Sequence, residues 1–170
     1  MTTAVQSRHE ALAALQAQIS TCRLCPRLVQ WREHVGREKR AAYRHEHYWA
    51  RPVPGFGDPD GSLLVLGLAP GAHGANRTGR VFTGDSSGDF LFAALYEAGY
   101  ASQPHSRSRD DGLTLSGAYI AAAGRCAPPG NKPLPQELAN CRPWLEREVA
   151  LLPNLRVVLA LGRIGHDAWL

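Results

Sequence analysis

The sequence predicts an α/β fold in which helices cover both faces of a short parallel sheet. Apolar runs at residues 63–68, 118–123 and 156–161 are typical of buried parallel strands. Each run ends at a glycine-containing turn or loop, and a segment with helical periodicity follows each of them. Strand and helix therefore alternate three times, which predicts right-handed crossovers and a three-layer α/β/α arrangement. We expect one domain over residues 1–170.

The chain before the first strand contains a predicted helix and a predicted ordered loop. Apolar residues at helical spacing, among them Leu12, Leu15 and Ile19, predict a helix over residues 5–20 that packs on the core. Residues 43–62 are rich in aromatic residues, proline and glycine, and predict a loop leading into the sheet. Its aromatic residues could contact unpaired bases, but packing over the core is the favoured interpretation.

A glycine-rich loop follows the first strand, at the sheet edge where α/β proteins place ligands. Neither the dinucleotide-binding motif nor the P-loop fits it, because Arg80 and Val81 stand where a P-loop has Lys and Ser or Thr. Small residues such as Gly71 allow a flat ligand to approach the backbone. Phe82 could stack on that ligand, and Asp85 supplies a carboxylate next to a helix predicted to begin at a Ser86 capping box.

The loop after the second strand, residues 124–133, should lie beside this glycine-rich loop, because both follow parallel strands. Asn131 and Lys132 are therefore candidate ligand contacts. A helix is predicted over residues 134–152. Residues 101–117 indicate a surface excursion with no visible chemistry.

Four cysteines indicate a bound metal or cluster rather than disulfides: Cys22, Cys25, Cys126 and Cys141. An all-cysteine zinc site and a [4Fe–4S] cluster both require four thiolates, so the spacing leaves both open. Unliganded or redox-active thiols are the third interpretation. A bound group would pin the N-terminal helix to the loop after the second strand.

Charge is distributed unevenly along the chain, whose net charge is +4. Eight basic residues and three acidic residues lie between Cys22 and Arg51, and this basic segment is a candidate contact for a phosphate backbone. The alternative is a solvated basic surface. The N-terminus lacks a signal sequence and no apolar run could span a bilayer, so a cytoplasmic protein without membrane contact is expected.

Residues 67–71 (GLAPG) with residues 79–85 (GRVFTGD) resemble the first motif of the uracil-DNA glycosylase superfamily. The resemblance extends from about Cys22 to the end of the chain. Family 5, the iron–sulfur B-type enzymes, is the best match, because family 4 has Glu where this chain has Leu68. The resemblance implies a uracil-DNA glycosylase-like fold and a [4Fe–4S] cluster on the four cysteines, with zinc as the alternative.

The resemblance also implies a function: hydrolysis of the N-glycosidic bond of uracil and other deaminated bases in DNA, the first step of base excision repair. Asp85 and His73 are then the catalytic candidates, and Gly71, Phe82 and Asn131 the substrate-binding ones. Family 4 has a uracil-reading Asn at the position of Ala122, so a wider pocket that tolerates hypoxanthine is expected. The expected partner is DNA containing deaminated bases, bound by a monomer.

The superfamily also has a further strand and a loop with a His motif, neither of which this sequence contains. A C-terminally truncated domain or a divergent short form is therefore expected, with the third strand at the sheet edge. Two other classes stay open: a non-catalytic iron–sulfur module that binds nucleic acid, and a zinc-stabilised hydrolase of nucleosides or nucleotides.

Overall fold

A sheet forms the centre of the computed structural model, which describes residues 2–170. A short strand, β1 (Phe56–Gly57), precedes three longer ones: β2 (Leu63–Gly67), β3 (Ala118–Ala122) and β4 (Val157–Ala160). The three longer strands lie within the predicted apolar runs and are parallel. The strand order is β1-β3-β2-β4, so β2 and β3 are the central strands.

The short strand β1 was predicted as part of a loop. It runs antiparallel to β3, with Phe56 opposite Ile120, so the sheet has a parallel core and one antiparallel edge. Two residues are too few to show the alternation of apolar and polar side chains by which a strand is recognised in a sequence. Pairing with the otherwise open edge of β3 therefore defines β1.

Six helices surround the sheet within residues 2–170, and none of them is both long and apolar enough to cross a bilayer. The second helix was not predicted. It begins at Pro26, and the first turn of a helix is a position that proline favours. The four-residue third helix inside the glycine-rich loop was not predicted either. The six helices are α1 (Thr2–Ser20), α2 (Pro26–Glu38), α3 (Ala75–Thr78), α4 (Ser86–Glu97), α5 (Pro135–Val149) and α6 (Gly162–Trp169).

The two faces of the sheet carry separate cores, as a three-layer arrangement requires. Leu64 and Leu66 point to one face, where α1 and α5 cover them with Leu12 and Leu145. Val65, between them in β2, points to the other face, which α4 covers. Both faces of β2 and β3 are therefore buried, which explains why these strands are continuous apolar runs. The predicted α/β/α layering is confirmed.

Strand β4 forms the second edge of the four-stranded sheet, as the sequence analysis expected. Val157 and Leu159 are 56% and 45% exposed on its outer face. Helix α6 follows it and crosses close to the end of β2, where a Cβ at Gly165 would lie 2.6 Å from the carbonyl oxygen of Leu66. Glycine at this position lets α6 approach β2.

Candidate active site and cysteine cluster

The loops after β2 and β3 enclose a cavity of about 390 Å³ at the carboxyl ends of these strands. Backbone hydrogen bonds continue the pairing beyond the strands, from Ala123 N to Gly67 O at 2.9 Å and from Gly124 N to Leu68 O at 2.8 Å. These bonds hold the two loops side by side, as predicted. Four predicted site residues line the cavity: Gly71, Phe82, Asp85 and Asn131.

Phe82 lies at the base of the cavity with its ring against the end of β2. A Cβ added to Gly67 would lie 2.5 Å from Cζ of Phe82, so only glycine leaves room for the ring. The backbone of Phe82 has a φ of 51°, in the left-handed region that a bulky residue rarely adopts. Such a conformation persists only where the surrounding structure holds it.

Asp85 caps helix α4 and also faces the cavity. Its Oδ1 accepts a hydrogen bond from the backbone N–H of Gly88 at 3.0 Å, so the predicted cap at Ser86 is wrong and Asp85 takes that position. Its Oδ2 lies against Gly71 and Gly74. A Cβ added to Gly71 would lie 3.0 Å from this oxygen, and a Cβ added to Gly74 would lie 1.9 Å from it. One oxygen therefore serves the helix, and the other lies in a cradle made by two glycines.

His73 lies in the same loop but does not line this cavity. Its Nδ1 is 2.8 Å from the hydroxyl of Tyr48, and the two rings meet edge to face. Burial lowers the pKa of His73, and the nearby cations Arg40 and Arg77 lower it further. Both effects favour the neutral form of the imidazole. Its predicted catalytic role stays a prediction.

The wall from the β3 loop combines a small buried residue with an exposed polar one. Ala122 is the last residue of β3 and lines the cavity with its methyl group. Asn131 is exposed at the rim with a φ of 56°, a conformation that asparagine tolerates better than most residues. The cavity therefore has an apolar wall and an amide at its mouth.

A larger groove of about 940 Å³ opens next to this cavity and shares Asp85 and Ser86 with it. Aromatic residues of the 43–62 segment line it, but arginines of the protein already stack on them. Arg77 lies 3.9 Å from the ring centre of Tyr43, and Arg109 lies 4.5 Å from that of Trp49. The groove has mixed charge, since it carries three arginines and four acidic residues.

The four cysteines line a second, small cavity, together with Arg125 of the β3 loop. Cys22 and Cys25 precede α2, Cys126 follows β3, and Cys141 lies in α5, and all four are free thiols. Burial raises the pKa of Cys126 to about 12 and also raises that of Cys141. Within residues 2–170, no group of three or more His, Cys, Asp or Glu side chains forms a ready-made metal site.

Two buried arginines, which the sequence analysis did not single out, line the same cavity. Arg32 is 2% exposed and donates from Nη1 to Sγ of Cys126 at 2.9 Å. Arg125 is 1% exposed and pairs with Glu148 at 2.6 Å. Nε of Arg32 and both Nε and Nη1 of Arg125 have no hydrogen-bond partner among the described residues. Unsatisfied N–H groups of two buried arginines beside four thiols fit a bound group of net negative charge.

A sequence signal for Arg32 existed in the helical spacing of Leu28, Val29 and Val35, all buried in α2. Arg32 occupies the buried face of that pattern, where a charged residue requires a partner. Fewer arginines of the basic segment are available to contact a phosphate backbone than its composition indicated. Arg32 is buried, and Arg23 and Arg27 form ion pairs with Glu33 and Glu137.

Comparisons with known proteins show which family the chain is similar to. The family described as the uracil DNA glycosylase superfamily matches residues 54–170. A Thermus thermophilus protein named type-5 uracil-DNA glycosylase is 61% identical over 152 residues, covering 89% of this chain and 68% of its own length. Proteins of the same name from Mycobacterium leprae and Pyrobaculum aerophilum are 54% and 47% identical, with 67% and 66% of their lengths covered and 89% of this chain in each case. The chain thus spans about two thirds of these relatives.

Proposed function

Because the chain belongs to the type-5 branch of the uracil-DNA glycosylase superfamily, we propose that it hydrolyses the N-glycosidic bond of uracil in DNA. This reaction is the first step of base excision repair. The observation that carries the proposal is the cavity of about 390 Å³, in which an aromatic ring and a carboxylate meet at the carboxyl ends of β2 and β3. This volume lies near the lower end of the range for small-molecule pockets.

The base enters this cavity only after it has left the DNA stack. Phe82 provides the stacking surface, and stacking on an aromatic side chain contributes roughly 1–3 kcal/mol per base. The backbone around Gly71 and the amide of Asn131 contact the polar edge of the base. The carbonyl of Gly71 already accepts the N–H of Asn76 at 3.0 Å, so we assign the N–H of Gly71 to the base.

Asp85 acts on the sugar, which gains oxocarbenium character as the bond to the base breaks. Its Oδ2 stabilises that positive charge or positions the attacking water, while its Oδ1 remains bonded to α4. The hydrogen bond from the N–H of Gly88 in α4 holds the carboxylate in place before the substrate binds. Preorganised groups of this kind lower the activation free energy. His73 serves as a neutral donor to the departing base if the loop brings it near the cavity.

Ala122 supports a finer proposal about substrate range. A methyl group at this position supplies no hydrogen bond that would select uracil, and it leaves more room than an asparagine. We therefore assign hypoxanthine to the substrates as well. Action as a monomer and a cytoplasmic location also remain predictions.

The cysteine cavity supports the proposal of a [4Fe–4S] cluster held by Cys22, Cys25, Cys126 and Cys141, with zinc as the alternative. Four thiolates and the buried cations Arg32 and Arg125 suit either group. When bound, the group supplies a structural cross-link between the segment before α2, the β3 loop and α5. Visible absorbance together with iron and sulfide analysis separates the two, because a zinc protein is colourless.

The test is base release from a labelled duplex that carries one uracil or one hypoxanthine, read as alkali-sensitive strand breaks. Replacing Asp85 with Asn should lower the rate by about 10²–10³-fold, the usual cost of losing one electrostatic contact in the transition state. Asp89→Asn, an exposed carboxylate in the first turn of the same helix, is the matched control. Wild-type rates for Asp85→Asn would overturn the assignment. Salt-sensitive DNA binding without base release would instead identify a binding module.

A further inference from the structure

A buried polar network connects the glycine-rich loop to the 101–117 excursion, to which the sequence analysis assigned no chemistry. Arg80 is 5% exposed, and its Nη2 lies 3.0 and 2.9 Å from the two carboxylate oxygens of Asp111. The same nitrogen is 2.7 Å from Oγ of Ser106, and Nε donates to Oγ1 of Thr83 at 3.0 Å. The hydroxyls of Thr83 and Ser106 are 2.6 Å apart.

Asp111 also organises the excursion itself. Its carboxylate accepts backbone N–H bonds from Arg107 at 2.8 Å and from Leu113 at 3.0 Å. The backbone N–H of Gly84 in turn donates to the carbonyl of Ser106 at 3.0 Å. Asp111 is therefore the point from which hydrogen bonds reach both the excursion and the glycine-rich loop.

Residues of this network flank Phe82 and Asp85 of the proposed site in the sequence. Arg80 and Thr83 stand on either side of Phe82, whose left-handed backbone conformation requires support from its surroundings. Gly84, held by Ser106, directly precedes Asp85. Neither Arg80 nor Asp111 lines the cavity, so the network cannot touch a base that occupies it.

We propose that Asp111, acting through Arg80, is a positioning residue for base excision: it holds Phe82 in its left-handed conformation and Asp85 at its place in the glycine cradle. The inference rests on the proposed function for its catalytic consequence. Its structural part, that the excursion stabilises residues 82–85, stands on the network alone.

The experiment compares Asp111→Asn with Asp110→Asn, an exposed carboxylate one residue earlier. In single-turnover excision of uracil, Asp111→Asn should be about tenfold slower, because small misplacement of catalytic groups is costly. Cluster absorbance should remain unchanged, since no residue of the network lines the cysteine cavity. Ser106→Ala, which removes only a hydroxyl, should give a smaller loss of the same kind and covers the case in which Asp111→Asn does not fold.

A double-mutant cycle with Phe82→Ala separates positioning from general destabilisation. If Asp111 acts through Phe82, its substitution should cost much less in a chain that already lacks the ring, so the two effects should not add. Fully additive effects, or a wild-type rate for Asp111→Asn, would overturn the proposal.

Hydrogen exchange distinguishes failure of this inference from failure of the proposed function. The amides of residues 82–88 should exchange at least about tenfold faster in Asp111→Asn than in Asp110→Asn, because local opening becomes easier. If the wild-type chain releases no uracil but this difference is observed, the proposed function fails and the positioning role stands. Equal exchange rates in the two variants would refute the positioning role whatever the activity.

Discussion

The base cavity and the cysteine cavity are both lined in part by the β3 loop, but they differ in how far the chain alone completes them. In the base cavity, the carboxylate of Asp85 is held by a helix N–H, and the nearby cation Arg80 has its own partners. In the cysteine cavity, the thiols come from three separate segments and form no ready-made metal site within residues 2–170. The buried nitrogens Nε of Arg32 and Nε of Arg125 have no partner among the described residues.

This difference in hydrogen-bond partners indicates which of the two sites depends on a bound group. A site whose polar groups are already satisfied can form from the fold alone, whereas one with unsatisfied N–H groups on buried arginines gains free energy from a negatively charged partner. We therefore expect changes near the base cavity to affect the reaction, and changes near the cysteine cavity to affect stability and retention of the bound group. Four substitutions or conditions test this, in order of decreasing expected effect.

Glu148→Gln should have the largest effect, on stability. Glu148 is fully buried against Arg125, and it also accepts hydrogen bonds from the backbone N–H of Gly55 at 2.8 Å and the hydroxyl of Tyr119 at 3.1 Å. Removing one partner of a buried ion pair typically lowers the free energy of unfolding by roughly 3–5 kcal/mol. Urea unfolding of the protein as purified measures this loss of free energy.

The matched control for Glu148→Gln is Glu146→Gln, two residues earlier in α5. Glu146 forms an exposed pair with Arg142 at 3.0 Å, one helical turn away. An exposed pair of this kind contributes about 0.3–0.5 kcal/mol. Equal losses of unfolding free energy in the two variants would mean that the buried Arg125–Glu148 pair does not stabilise the region around the cysteine cavity.

Gly74→Ala should have the next largest effect, on catalysis. The new Cβ would lie 1.9 Å from Oδ2 of Asp85, so the carboxylate must move. A displacement of this size can slow a reaction by about 100-fold. Single-turnover excision measures it, and visible absorbance should show that the cysteine site is unaffected. Gly71→Ala should slow excision less, because its Cβ would lie 3.0 Å from the same oxygen. A larger loss for Gly71→Ala than for Gly74→Ala would contradict the proposal that the two glycines hold Oδ2 of Asp85.

Arg32→Met should weaken retention of the proposed cluster without a direct effect on the base cavity. The change removes the N–H donor to Cys126 Sγ and one buried positive charge. Loss of such an outer contact commonly lowers metal affinity by about 10–100-fold, and we expect the lower end of that range. Release of iron to a chelator gives the rate. Arg37→Met, exposed on the same helix, should match the wild type.

Acidification should give the smallest effect and should act through Asp111. Partial burial raises the pKa of this carboxyl, but hydrogen bonds from the Leu113 and Arg107 amides and from Arg80 outweigh burial and leave the pKa below its ordinary value. The ionised form therefore contributes stability above the ordinary Asp pKa of about 3.9, and this contribution is lost as pH falls through the lowered value. Unfolding free energies below about pH 5 should fall less steeply in Asp111→Asn than in Asp110→Asn.

The sequence by itself determined the layers, the parallel strands and the cavity between their loops. Strands buried on both faces must be continuous apolar runs, and the carboxyl ends of adjacent parallel strands must lie together. That geometry predicts Gly71, Phe82, Asp85 and Asn131 around one cavity, where the structure has them, and the motif resemblance predicts the family.

Only the tertiary structure decided how charges pair. Arg80 and Asp111 are 31 residues apart and Arg32 and Cys126 are 94 apart, and no local pattern links either pair. The same limit explains the missed strand β1, which exists because β3 has an open edge, and the excursion that was assigned no chemistry. Local periodicity reports which residues are buried, whereas the partner of a buried charge depends on chain segments that meet only after folding.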